Sequence, residues 1–167
     1  MKRPVRRALV LVHIIASIGW IGSVATYIAL GVLAAANADD LIKRSAWIAM
    51  EFTGWYVIVP LAVLSLATGI ITSTSGGWGL LRHYWVAISL TLTVFCVAIL
   101  LLHMPDVTTA ANRARDTTRP AHQLGSDLFH PTVGLAILLF IATLNTYKPK
   151  GLTRYGHHKA QERRTAP

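Results

Sequence analysis

The sequence predicts an all-α fold, an integral membrane four-helix bundle with both termini in the cytoplasm. Three observations predict it. Only 14% of the 167 residues are charged while 53% are hydrophobic, against about 25% charged residues in soluble domains. The charges crowd into gaps between four long apolar segments, and an apolar run of roughly 18 residues or more reads as a transmembrane helix. Lys and Arg then fall unevenly on the two sides that four crossings define. The expected domain spans 1–147, and a basic tail follows at 148–167.

The first segment runs about Ala8–Ala35, the second Trp47–Thr72, the third Trp85–Met104 and the fourth Phe129–Tyr147. At about 1.5 Å per residue each is long enough to cross a core of roughly 30 Å, the first two with tilt or overhang. The gaps between them are turn-rich or charged: "NADDLIKRS", "STSGGWGLLR" and the stretch from Pro105 to Leu128. Pro131 opens the fourth segment, where a proline costs a helix little. Pro60 lies inside the second and predicts a kink, because a bilayer helix can re-satisfy the freed carbonyl. The start "MKRPVRR" with Ala36-Asn37-Ala38 also suits a secretory signal. The apolar stretch is too long for a signal core, so it is read as a retained helix.

Orientation follows from the basic residues. Lys2, Arg3, Arg6, Arg7, Arg82, Lys148, Lys150, Arg154, Lys159, Arg163 and Arg164 fall on one side; Lys43, Arg44, Arg113, Arg115 and Arg119 fall on the other. The richer side is expected to be cytoplasmic. Asp39, Asp40, Asp106, Asp116 and Asp127 fall on the poorer, outer side. The net charge of +9 is thereby a topology signal, and nucleic-acid binding is not needed to explain it. The tail is expected to lie on anionic lipid. A second copy or another membrane protein is the expected protein partner. One cysteine, Cys96, excludes an internal disulfide.

Helical spacing places His13, Ser17, Trp20 and Tyr27 on one stripe of the first segment. Glu51, Trp55, Ala62, Ser65, Gly69 and Thr72 align on the second, and Ser89, Thr93, Cys96 and His103 on the third. Small and hydroxyl residues let membrane helices approach closely, so these stripes are expected to face the bundle interior. Histidines near or within membrane segments are candidates for function. His13 and His83 lie toward the cytoplasmic edge, and His103, His122 and His130 at or beyond the outer edge; His157 and His158 fall in the tail. His13 is the deepest, about 9 Å along the axis past Arg7 at the standard helical rise. His83 sits about 100° around the third helix from the Ser89–Thr93 stripe. His103 ends the third segment and His130 opens the fourth, so the two share a level, and Glu51 begins the second at the same side.

"VPLAVLSLATGI", "WGLLRHYWV" and "YKPKGLTRYG" resemble a family of small bacterial integral membrane proteins of unknown function, over Trp55 to Gly156. The resemblance implies four transmembrane helices and supplies no activity. More distantly, "HIIASIGWIG" is similar to the first helix of the CopD-type copper-resistance and HemJ-type protoporphyrinogen oxidase membrane proteins. In the HemJ-type family that His is associated with haem, which implies His13 here. The third-helix lysine of that family has no counterpart, since the third segment contains no Lys.

Three functional expectations follow. The first is an accessory or scaffold subunit of the bacterial cytoplasmic membrane without catalytic motif. The second is a b-type haem protein, held by His13 with His83 or by His103 with His130, since four-helix bundles build such sites between facing helices. The third is a metal-handling protein using His103, His130 and Glu51, because imidazole and carboxylate at one level suit a divalent ion.

Overall fold

The computed structural model describes residues 2–36, 39–75, 80, 82–118, 120–121, 124–149 and 151–156. Trp78, Arg119, His122, Lys150, His157, His158 and the last basic residues of the tail lie outside the described residues. The chain is all-helical: α1 (Arg3–Ala36), α2 (Asp40–Thr53), α3 (Val59–Ser75), α4 (Tyr84–Arg115) and α5 (Phe129–Tyr147). A π-helical turn, Gly54–Ile58, joins α2 to α3 without a break, so there are four helical passages. All four are long and apolar enough to cross a membrane.

α1 buries Ala16, Trp20, Val24, Tyr27, Gly31 and Ala34, the three- and four-residue steps of one helical face. Its hydroxyls turn inward on their own helix. Ser17 donates to the His13 carbonyl at 2.8 Å and Thr26 to that of Gly22 at 3.1 Å. Such bonds satisfy the hydroxyls within their own helix.

α2 starts where the Asp39 side chain accepts from the Leu41 N–H at 2.8 Å, an N-cap. It buries Ala46, Trp47 and Met50. The π turn inserts extra chain per turn before Pro60, a common response to a proline's missing N–H. It also changes the buried face. The buried set runs Met50, Gly54, Ile58, Ala62, Ser65, Thr68. Continuous α-helical spacing put Glu51 and Trp55 on the Ala62 face; the π turn offsets the earlier half, so Met50 and Gly54 face inward instead. Gly54 makes room there, because a Cβ would stand 2.6 Å from the Met104 methyl and oblige that side chain to shift.

α4 runs eleven residues past the expected end at Met104. Pro105 lies inside it, and Met104, Val107, Ala111 and Ala114 continue a single buried stripe. This extension packs along α2. Arg44 donates to the carbonyls of Ala114 at 2.9 Å and Asp116 at 2.8 Å, closing the α4 C-terminus. The Trp55 indole donates to Thr108 at 2.9 Å, and Arg115 pairs with Glu51. At about 1.5 Å per residue α4 is roughly 48 Å long, more than a bilayer core requires.

The bundle has two ends. One carries the start of α1, the start of α4 and the end of α5. There the "YKPKGLTRYG" stretch folds back onto "LRHYW": Thr153 N–H donates to the Arg82 carbonyl at 3.1 Å, and His83 pairs with Leu152 as an isolated bridge. Gly156 permits the contact, since a Cβ would lie 2.3 Å from the Arg82 oxygen. The opposite end carries the α1–α2 turn, the α2–α4 extension and the chain leading into α5.

Candidate metal centre

At that opposite end three ligand-bearing side chains converge. His103 projects from α4, just before Pro105. His130 is the second residue of α5. Asp127 lies in the approach to α5, and its position is set by α1. Gly31 admits the loop, because a Cβ there would stand 2.9 Å from a Leu128 methyl and 3.1 Å from the Asp127 carbonyl oxygen. The Tyr27 hydroxyl, one turn earlier on the same helix, donates to Asp127 Oδ2 at 2.8 Å.

His103 Nε2 meets the same Oδ2 at 2.8 Å, and His130 Nδ1 stands 3.6 Å from Oδ1. The two imidazole rings lie 4.3 Å apart between centroids, tilted by 33°. One ligand atom from each of His103, Asp127 and His130 lies within 4.8 Å of the others. Asp127 is buried, His103 half-buried and His130 exposed on one side. Burial alone pushes the Asp127 carboxyl up. The hydrogen bonds from His103 and Tyr27, with the His130 imidazole close by, outweigh it and hold the carboxyl below its usual range. A carboxylate that stays ionised while buried is what cation binding needs.

Two nitrogens and an oxygen, with Tyr27 orienting the carboxylate from behind, form a donor set for a borderline divalent ion. A cavity of about 250 Å³ adjoins it, walled by Trp20, Val24, Phe95, Ile99 and other apolar side chains.

Glu51, expected as the third ligand, is elsewhere: it pairs with Arg115 on the α2–α4 extension. The offset at the π turn and the length of α4 carry it there. Asp127, and not Glu51, is the carboxylate beside His103 and His130. The signal was present as "DLFH", Asp127 to His130, a three-residue spacing at a helix start. Nothing in the sequence tied it to Tyr27, a hundred residues earlier.

The other histidine pair is not brought together. His13 Nδ1 lies 3.0 Å from the Ser65 carbonyl and 3.2 Å from Thr68 Oγ1. A carbonyl only accepts, so Nδ1 carries the proton and Nε2 keeps a lone pair. Gly69 makes room, since a Cβ would stand 3.1 Å from the imidazole Cε1. The ring lines a second cavity of about 440 Å³ with Ser17, Ser89, Thr93 and Asn145. His83 is not on that wall. It caps α4, bridged to Leu152, with its ring 6.4 Å from that of Trp85.

The molecule is thus an all-helical bundle of four membrane-length passages with one converged His–Asp–His cluster among the described residues. Comparisons with protein-family models, with curated proteins and with solved structures returned no match.

Proposed function

We propose that the chain is a multi-pass protein of the bacterial cytoplasmic membrane, with both termini cytoplasmic, that binds one transition-metal ion at its outer end. Four apolar passages and the excess of Lys and Arg on the terminal side support the placement. The single observation that carries the metal reading is the convergence of His103, Asp127 and His130 around one point. Three protein ligands leave a coordination position open, the pattern of sites that act on or pass on a ligand rather than of closed structural sites. With no catalytic motif elsewhere, the chain acts as a metal-binding accessory subunit.

The test is zinc binding by the purified full chain in detergent, followed by equilibrium dialysis and elemental analysis. The expected result is one ion per chain, lost in His103→Ala, Asp127→Asn and His130→Ala and retained in Glu51→Gln. Sub-stoichiometric zinc in the parent, or equal zinc in the three variants, would overturn the reading.

One observation favours a second reading, haem. The tautomer fixed by Ser65 leaves His13 Nε2 as a ligating atom on the wall of the larger cavity. The stacked rings of His103 and His130 leave no gap for a porphyrin between them. A Soret band that disappears in His13→Ala is the expected signature; a colourless protein from haem-replete cells removes this reading.

A further inference from the structure

The two cavities differ in kind. The one at His13 mixes hydroxyls and an amide with apolar side chains such as Ile18, Leu66 and Leu138. The one at the metal centre is walled by apolar and aromatic side chains, with Tyr27, His103, Asp127 and His130 confined to one end. Its walls include Phe95, Phe129 and Val133, which are themselves exposed on the outside of the bundle. The mouth therefore opens between α4 and α5 onto the apolar outer face. On the membrane reading above, that face is lipid, so what enters comes from the bilayer.

The polar end specifies the head of such a ligand. Tyr27 and His103 are both committed to Asp127 Oδ2. His130 stands 3.6 Å from the carboxylate, beyond hydrogen-bond length, so its ring is the group that can turn to a ligand. A neutral oxygen suits the end: it accepts from His130, or completes the coordination of an ion held there. Trp20, Phe95 and Phe129 line it, and aromatic side chains pack well on a flat ring. The volume of about 250 Å³ exceeds the roughly 150 Å³ that accommodates benzene.

We propose that this cavity takes the ring of a membrane-soluble quinone, one carbonyl at the His130 end and the tail leaving between α4 and α5 into lipid. This deepens the metal reading by naming the ligand class of the same site. Gly134 lies on the cavity wall, and a Cβ added there meets nothing within 4 Å. Gly134→Phe therefore fills the cavity without pressing on the backbone, and Gly134→Leu fills it less.

The experiment uses the full chain in lipid nanodiscs, titrated with decyl-benzoquinone and followed by quenching of tryptophan fluorescence. Saturable binding is expected, weakened about tenfold or more by Gly134→Phe and less by Gly134→Leu. Decylbenzene, which lacks the carbonyls, should compete about tenfold more weakly, the worth of a lost polar contact. Non-saturable quenching, equal binding in Gly134→Phe or equal competition by decylbenzene would overturn the proposal. Zinc content separates the two readings. Gly134→Phe should keep its zinc, which also reports that it folds. Quinone binding by a chain that takes no zinc sinks the metal reading and leaves this one standing.

Discussion

Tyr27→Phe isolates one hydrogen bond. The ring is buried and its hydroxyl donates at 2.8 Å to the buried Asp127 carboxylate, while the rest of the side chain keeps its packing. A hydrogen bond to a charged group contributes about 1.5–3 kcal/mol, and a buried acceptor that loses a donor sits near the upper part of that range. The variant should therefore lose roughly 2 kcal/mol of stability at neutral pH. The sign of the pH dependence follows from the carboxyl, which is held below its usual range in the folded chain. Such a group stabilises the fold above its unfolded pKa, and the contribution fades as pH falls toward the folded value. The gap between parent and Tyr27→Phe should thus be widest at neutral pH and close in acid below pH of about 4. On the metal reading Tyr27 orients a ligand, so zinc should bind about 10- to 100-fold more weakly. Thermal unfolding in detergent across pH, with zinc titration of the same samples, measures both. A stability gap that widens in acid would refute the electrostatic argument. Zinc affinity unchanged within experimental scatter would refute the orienting role of Tyr27.

Gly31→Ala should displace the Asp127 loop, because its Cβ meets backbone at 3.1 Å as well as a movable leucine methyl. Weaker zinc binding with little change in helix content, followed by titration and circular dichroism, is the expected outcome. Glu51→Gln should leave zinc binding unchanged and cost about 1 kcal/mol or less, since its partner Arg115 is half-exposed; a larger loss by thermal unfolding would mean that the α2–α4 extension depends on that pair. In a Cys96→Ser background, Thr118→Cys should react with an impermeant maleimide on intact cells and Thr153→Cys should not. The reverse labelling pattern would invert the topology.

The four passages were legible because runs of apolar residues carry their own length scale. Their ends were less so. Pro105 followed by Asp106 reads as a stop by the rules that hold in water, yet α4 continues because Val107, Ala111 and Ala114 still have α2 to pack against. The charges of "NADDLIKRS" concealed the start of α2 for a similar reason: Arg44 finds its partners on α4, seventy residues on. His103 and His130 were legible as a pair because one was expected to end a helix and the other to begin one at the same side. Asp127 was not, because only the fold brings it to Tyr27. Whether His83 faces inward or water was open in the sequence; the fold adds a backbone bridge to the returning chain at Leu152, which no spacing announced.

The distribution of the cluster along the chain has a consequence for how the protein is made. Tyr27 belongs to the first of the four passages, His103 to the third, and Asp127 and His130 to the segment that opens the fourth. The cluster therefore has no partial form as the chain is made: a chain arrested before the fourth passage lacks Asp127 and His130 and leaves the Tyr27 hydroxyl without the carboxylate it donates to. On the proposed metal reading, an ion held here would mark a chain whose fourth passage is in place.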